Sequence, residues 1–169
     1  MPAEVTAPVW HLAQANVARP RADLFSPVMS GFVFALEGVN RIAENSPGFV
    51  WRLRSVESHG ATTVAGGLVV NLSVWDSYES LHAFVYRSRH GAFVANRARW
   101  FEPAGMPSTV LWWVRAGEMP AVEEALRRHR HLVAHGPTPQ AFSLRRRFGP
   151  DGYPARRGER GLAARTGQM

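Results

Sequence analysis

One strand-to-helix junction constrains the fold of this chain more than any other feature. Residues 69 to 77 read VVNLSVWDS and lead into an apolar pattern with helical spacing. Successive side chains of a strand point to opposite faces, so Asn71, Ser73 and Trp75 share one face while the intervening valines and leucine share the other. The segment therefore predicts a sheet with one apolar face and one face that could hold a ligand.

Length and composition limit the class of protein. A chain of 169 residues with 46% apolar residues fits one globular domain with a single core. No apolar run approaches the roughly 20 residues of a membrane helix. The first eight residues include Glu4 and lack a secretory pattern, so we expect a cytoplasmic protein that does not interact with membranes. The absence of cysteine excludes disulfides and thiolate ligands.

The net charge of +7 lies at the C-terminal end of the chain. Residues 1 to 126 contain ten Arg and eleven acidic residues, whereas residues 127 to 169 contain ten Arg and two acidic residues. The basic stretch lacks interleaved aromatic residues and a recognisable binding module, so nucleic-acid binding is disfavoured. The run from Arg145 to Arg147 either binds an anionic substrate or a partner subunit, or is simply solvated.

The predicted elements follow the order strand, helix, strand, strand, helix, strand, helix. The predicted strands cover residues 10 to 17, 49 to 56, 69 to 75 and 109 to 115, and the predicted helices begin at Ser26-Pro27, at Asp76 with a capping box to Glu79, and at Pro120. Gly91 is expected to break the second helix. This order predicts an α+β, ferredoxin-like βαββαβ antiparallel sheet with helices on one face.

The domain and subunit organisation follows from the same pattern. We expect a disordered N-terminus at residues 1 to 8, one domain at residues 9 to 148, and a flexible Arg-rich tail at residues 149 to 169. The strand at residues 109 to 115 is apolar on both faces, so both of its faces should be covered. A second copy of the chain would cover the free face, which predicts a homodimer with the architecture of a dimeric α+β barrel.

Eight segments resemble the DUF3291 family of the dimeric α+β barrel superfamily, to which antibiotic-biosynthesis-type monooxygenases also belong. They are residues 11 to 16 (HLAQAN), 46 to 53 (SPGFVWRL), 71 to 75 (NLSVW), 84 to 88 (FVYRS), His90, 100 to 103 (WFEP), 111 to 113 (LWW) and 135 to 138 (HGPT). The resemblance covers about residues 10 to 148. It implies the fold, because the family has no assigned activity.

The wider superfamily implies two kinds of oxygenase chemistry. It includes cofactor-free quinone-forming monooxygenases and haem-degrading oxygenases, and the latter use an Asn on the first strand together with a Trp and a His on the helix after the third strand. Asn16 resembles the first of these residues. Phe84 stands where the Trp is expected, and His90 falls earlier than the haem-ligating His would. The resemblance therefore implies either a haem cofactor or none.

Four residues are candidates for chemistry. His90 could act as a base or ligate haem iron, or it could stabilise the helix break through a hydrogen bond. Asn16 and Asn71 could orient a substrate carbonyl or dioxygen, or could satisfy backbone groups. Tyr86 could hold its hydroxyl over a ligand, or its ring could pack with the hydroxyl in water.

The aromatic residues predict the kind of ligand. A flat apolar molecule would suit a pocket built from such side chains, although aromatic residues at these positions also form cores and dimer interfaces. The candidate substrate-binding residues are Ser73, Trp75, Phe84, Trp100 and Trp112. The leading hypothesis is a small monooxygenase-like enzyme acting on an aromatic or hydrophobic compound. The alternative is a dimer that binds such a ligand without catalysis.

Other chemistries find little support in the sequence. On a helix, only His131 and His135 of the three nearby histidines share a face, and no carboxylate accompanies them at ligand spacing, so a metal site is disfavoured. The sequence contains no Gly-x-Ser-x-Gly elbow, phosphate-binding loop or dinucleotide fingerprint. Serine hydrolases, nucleotide hydrolases and dinucleotide-dependent enzymes are therefore disfavoured.

Overall fold

An antiparallel sheet organises the chain in the computed structural model, which describes residues 7 to 54, 62 to 64, 66 to 88 and 92 to 155. Its strands are β1 (Trp10–Ala18), β2 (Phe49–Arg52), β3 (Thr62–Val64), β4 (Leu68–Trp75) and β5 (Thr109–Arg115). Four of them lie in the order β2-β4-β1-β5, and the short β3 pairs with β4. All these pairings are antiparallel, so the ferredoxin-like α+β fold predicted from the sequence is confirmed.

The register of the three central strands defines the two faces of the sheet. Asn16 on β1 lies opposite Asn71 on β4 and Thr109 on β5. We call the side that carries these three residues the polar face, and the side that carries Ala13, Ala15 and Val17 the apolar face. Every described β1, β4 and β5 residue on the apolar face between Ala13 and Val17 in register is buried.

The α-helices of the described residues cover the sheet, and they do not all lie on the same side. They are α1 (Ser30–Glu44), α2 (Tyr78–Ser88), α3 (Ala92–Trp100) and α4 (Val122–His135). Residues of α1, α2 and α3 pack in two apolar clusters on the polar face, one around Trp75 and one around Phe32. Ala125 and Leu132 of α4 instead pack against Ala13 and Val74 on the apolar face. The helix α1 and the pair α2 and α3 form the two crossovers of the βαββαβ unit, and they share one face as predicted. The additional helix α4 lies on the other face.

The position of α4 removes the reason for which a second subunit was expected. Val110, Trp112 and Val114 of β5 point to the apolar face and are buried within one chain. On the polar face, Leu111 is buried in a cluster with Trp75, Phe84 and Phe142, and Phe142 also lies beside it as a bridge at the edge of β5. Both apolar sides of β5 are thus covered without a partner, because the chain after β5 packs on both faces.

The start of α2 differs in detail from the predicted capping box. The Ser77 hydroxyl, rather than the Asp76 carboxylate, accepts a hydrogen bond from the backbone N–H of Ser80 at 3.2 Å. Asp76 instead accepts a hydrogen bond from the Ser77 hydroxyl at 2.8 Å. The cap is therefore one residue later than predicted, and the first helical residue is Tyr78. The predicted break at Gly91 lies outside the described residues, between the end of α2 and the start of α3.

The segment after α4 returns to the polar face. The Tyr78 hydroxyl donates to the backbone oxygen of Leu144 at 3.2 Å, and the Trp113 indole donates to the backbone oxygen of Phe148 at 2.7 Å. The N–H of Gly149 donates to the oxygen of Tyr153 at 2.8 Å, so the first part of the predicted tail forms a turn. None of the described helices is both long and apolar enough to cross a membrane.

Candidate ligand-binding cavity

A cavity of about 530 Å³ lies between the polar face of the sheet and helices α1 to α3. At one end of this face, Leu12, Trp75 and Trp113 occupy matching positions on the three central strands and pack closely against the helices. Further along the same face, beyond Gln14 and its partners, the matching positions on the three strands hold Asn16, Asn71 and Thr109. These side chains are shorter, so they leave space beneath the helices. A volume of this size is typical of a small-molecule site.

The floor of the cavity carries a pair of side-chain amides from neighbouring strands. Asn16 and Asn71 are directly opposite each other in the β1–β4 register, and both line the cavity. The Thr109 hydroxyl donates to Asn16 Oδ1 at 2.6 Å, which leaves the Asn16 amide nitrogen available. Asn71 makes no side-chain hydrogen bond with any described residue. The pair can therefore offer both donors and acceptors to a bound molecule.

A second polar group on the floor is held by buried hydrogen bonds. The Ser73 hydroxyl donates to Gln14 Oε1 at 3.1 Å and accepts from Trp75 Nε1 at 3.0 Å. Trp75 is fully buried and stacks on Phe84, with the ring centroids 4.9 Å apart and an interplanar angle of 23°. Phe84 lines the cavity, whereas Trp75 supports it from behind.

The cavity is positively charged. Arg52, Arg97 and Arg145 line it, and none of its described lining residues is acidic. Arg52 is compensated, because its Nε lies 2.7 Å from Glu44 Oε1, an atom that also pairs with Arg54 at 2.9 Å. Within the described part of the chain, neither Arg97 nor Arg145 has a carboxylate partner. Among the described residues, the half-buried Arg97 and the exposed Arg145 therefore leave the cavity with positive charge that no carboxylate offsets, which suits a ligand with negative charge.

The structure brings four of the predicted site residues together at the cavity: Asn16, Asn71, Ser73 and Phe84. It does not bring the other described candidates there. Trp75 and Trp100 belong to the packed clusters on either side, and neither is a lining residue. Trp112 points to the opposite, apolar face, because it alternates with Leu111 and Trp113 along β5.

Tyr86 lies on the outer side of α2 and is 63% exposed. It is two residues beyond the inward-facing Phe84, and two residues correspond to about 200° around a helix. Its hydroxyl therefore cannot lie over a ligand in the cavity in this arrangement. His90, the predicted base or haem ligand, lies outside the described residues.

The sequence pattern did not indicate several of the residues that line the cavity. Asn40 interrupts the apolar helical stripe formed by Phe32, Leu36 and Ala43, and a polar residue within such a stripe is a signal that could have been used. Thr109 had no comparable signal, because its place beside Asn16 depends on the register between β1 and β5. Arg52 and Arg97 read as ordinary surface cations in the sequence, although Arg52 has only 14% of its side chain exposed.

The described residues of the cavity do not fit haem ligation. No histidine, methionine or tyrosine is among the described lining residues, and these are the axial ligands available to a chain without cysteine. The described residues also contain no cluster of three or more side chains suited to hold a metal ion. The described wall instead consists of amides, hydroxyls, guanidinium groups and apolar side chains, which bind and orient organic molecules.

Several solved structures are similar to part of this chain. A protein of unknown function, NE2512 from Nitrosomonas europaea, has a TM-score of 0.45 at 14% identity and covers 68% of this chain and 99% of its own. A candidate antibiotic biosynthesis monooxygenase from Nitrosomonas europaea has a TM-score of 0.31 at 12% identity, covering 69% and 96%. Another from Bacillus cereus has a TM-score of 0.28 at 15% identity, covering 69% and 98%. Similarity this low does not bear on function.

A family model matches a larger part of the chain than these structures do. The model of the family described as "Domain of unknown function (DUF3291)" matches residues 11 to 158. A comparison with curated proteins gave no match. The matched region includes every described strand and helix except the first residue of β1, and all the described lining residues of the cavity. This chain belongs to the DUF3291 family.

Proposed function

We propose that this protein is a cytoplasmic, monooxygenase-like enzyme that binds a flat, mainly apolar small molecule in the cavity between the polar face and helices α1 to α3. The observation that supports this proposal is the amide pair of Asn16 and Asn71 on the floor of a cavity whose walls combine apolar side chains with further polar and arginine side chains. An amide pair at a fixed spacing can hold a substrate oxygen by hydrogen bonds while the ring lies against Phe32, Phe84 and Phe101.

The proposed reaction uses dioxygen as the oxidant and forms a quinone. In a substrate such as anthrone, a ring methylene and O₂ are converted into a ring carbonyl and water, so the substrate supplies the electrons and no separate reductant is needed. The substrate first loses a proton to solvent and becomes an enolate. The guanidinium groups of Arg97 and Arg145 would stabilise that negative charge and favour deprotonation.

A second function, binding without catalysis, is favoured by one feature of the same wall. The described lining residues include no histidine, carboxylate, tyrosine or cysteine that could act as a general base near neutral pH. In this alternative, the cavity binds the same kind of molecule, and the amide pair only positions it. The two functions differ in turnover and not in affinity.

Oxygen uptake with anthrone as the probe tests the proposal. Anthraquinone formation and oxygen consumption are measured with the wild-type protein and with Asn71→Leu, which removes the amide at nearly constant volume. Asn45→Ala is the matched control, because Asn45 lies at the C-terminal end of α1 on the surface and does not line the cavity. We expect Asn71→Leu to lower kcat/KM at least tenfold, as loss of one positioned donor does in other active sites, and Asn45→Ala to leave it unchanged.

The outcomes separate the two functions. Turnover above the protein-free rate that is lost in Asn71→Leu supports the enzyme. Binding of anthraquinone, followed by quenching of tryptophan fluorescence, without any turnover would support the binding protein. Absence of both would overturn the proposal. Light scattering over a range of concentrations tests the homodimer expected from the sequence, which is not needed to cover β5 and which would have twice the chain mass of 18.8 kDa.

A further inference from the structure

Two arginines of the cavity have side chains that the rest of the described chain does not neutralise. Glu44 compensates Arg52, and Glu102 lies 3.9 Å from Arg19, outside the cavity. Arg97 and Arg145 form no ion pair and no side-chain hydrogen bond with the described residues. A guanidinium group has five donors that bind carboxylate or sulfonate oxygens well, and the half-buried Arg97 and the exposed Arg145 both line the cavity with no described partner for those donors.

Packing holds Arg97 at one edge of the cavity. Its guanidinium lies 5.7 Å from the centre of the Phe101 ring, and Phe101 is itself buried. Arg97 also lines a second pocket of about 410 Å³, which shares Ala18 and Ser108 with the first. The cation therefore lies at the boundary between the two spaces, where it can reach the end of a molecule that occupies the main cavity.

Arg145 reaches the same cavity from the segment that follows α4. The bridge between Leu111 and Phe142 and the hydrogen bond from the Tyr78 hydroxyl to the oxygen of Leu144 fix this segment over the polar face. Arg146 and Arg147 do not line the cavity, and the Arg147 guanidinium lies over the Tyr78 ring at 3.8 Å. The fold thus selects one arginine of the run to face the cavity.

We propose that the natural ligand is a flat organic oxyanion, with its ring system in the cavity and its anionic group bound by Arg97 and Arg145. This inference rests on the proposed function, since it assigns a charge to the ligand of the same cavity. Burial against Phe84 and Phe101 supplies affinity for the ring, whereas the two guanidinium groups select the charge. A neutral molecule of the same shape would leave both cations unpaired and bind more weakly.

A matched pair of fluorescent probes tests the charge separately from the shape. The probe 1-anilinonaphthalene-8-sulfonate carries one sulfonate, and N-phenyl-1-naphthylamine has the same rings without it. Each is titrated against the full-length wild-type protein, the double variant Arg97→Gln/Arg145→Gln, and the control Arg99→Gln/Arg146→Gln. The control makes the same change in net charge at exposed arginines that do not line the cavity.

We expect the wild-type protein to bind the sulfonate probe at least tenfold more tightly than the neutral probe, a difference of about 1.4 kcal/mol. Arg97→Gln/Arg145→Gln should abolish this preference and leave the affinity for the neutral probe unchanged, whereas the control pair should keep the preference. The variant Arg97→Lys/Arg145→Gln keeps one positive charge at the cavity and should therefore retain part of the preference for the sulfonate probe. Thermal unfolding of every variant checks that the loss of the Phe101 contact has not unfolded the protein.

Each failure has a distinct meaning. Equal affinities for the two probes, or the same loss in both double variants, would overturn the charge assignment while leaving an apolar binding cavity intact. Asn71→Trp fills the floor of the cavity, and Val39→Trp fills it from α1 in case the first variant does not fold. If neither probe binds, or if neither tryptophan variant weakens binding, the proposed function fails together with the charge assignment.

Discussion

Removal of the Ser73 hydroxyl tests the buried hydrogen bonds that support the cavity floor. In Ser73→Ala, the Trp75 indole loses its acceptor at 3.0 Å and Gln14 Oε1 loses its donor at 3.1 Å. The two consequences are unequal. Gln14 lines the cavity, so water can replace the lost donor there, whereas Trp75 is fully buried and does not line it. The dominant cost is therefore one buried N–H without a partner.

An unpaired buried donor costs about 1 to 3 kcal/mol of stability. For a chain of 169 residues, each kcal/mol corresponds to roughly 2 to 4 °C in Tm, so we expect Tm to fall by about 2 to 12 °C. Ser73→Thr keeps the hydroxyl and adds a methyl group at a position beside the cavity. It should retain most of the stability of the wild-type protein.

Urea unfolding followed by far-UV circular dichroism measures the loss in the free energy of unfolding without using tryptophan as the reporter. Ser30→Ala is the control, because the Ser30 hydroxyl makes an exposed hydrogen bond to the oxygen of Pro27, and it should change the free energy of unfolding by less than about 0.5 kcal/mol. If Ser73→Ala is no more destabilising than Ser30→Ala, the Trp75 indole does not depend on Ser73. A larger loss in Ser73→Thr than in Ser73→Ala would also refute the reasoning.

Two further predictions concern the turn before β2 and the half-buried cation of the cavity, Arg52. Gly48 has a φ of 79°, and a Cβ there would overlap Ser80 Oγ and Asp76 Oδ1, so Gly48→Ala should lower the free energy of unfolding by more than about 1 kcal/mol in urea melts. Gly38→Ala, at an open helical position of α1, should raise it by up to about 1 kcal/mol, and equal effects at both glycines would contradict this account. Glu44→Gln should cost about 1 to 3 kcal/mol, because the Arg52 side chain is only 14% exposed and loses its counter-charge. In an Arg52→Met background, the same change should cost less than about 0.5 kcal/mol, and a full cost there would show that Glu44 acts through another group.

The strands could be predicted because their signal is local. The alternation from Val69 to Trp75 and the apolar run from Thr109 to Arg115 matched β4 and β5 closely. The predicted strand after Phe49 was too long among the described residues, since β2 ends at Arg52. The predicted helix start at Ser26-Pro27 is a short 3-10 turn that precedes α1, and the Ser26 hydroxyl donates to the oxygen of Asp23 instead of capping the turn.

The polar floor of the cavity was also predictable, but its lining was not. Asn71 and Ser73 lie two residues apart on one strand, so their shared face follows from the period of a strand. Trp75 shares that period and nevertheless lies in the packed core, because the rings of Phe49 and Phe84 pack against it. Their ring centroids lie 5.5 Å and 4.9 Å from that of Trp75. Whether an aromatic side chain lines a cavity depends on what packs above it, and a strand pattern contains no such information.

The sequence by itself determined the order of the main strands and helices but not the short β3, together with the two-residue period that separates the polar face from the apolar face and the absence of thiol chemistry. Only the tertiary structure decided that Asn16, Asn71 and Thr109 meet across three strands, that α4 covers the apolar face, and that Arg145 faces the cavity while Arg146 does not. The physical reason is the separation along the chain of the residues that determine each feature. Side-chain periodicity depends on neighbours within a few residues, whereas strand register and the side on which a helix packs depend on contacts between residues far apart in the sequence, such as Asn16 with Asn71 and Ala13 with Leu132.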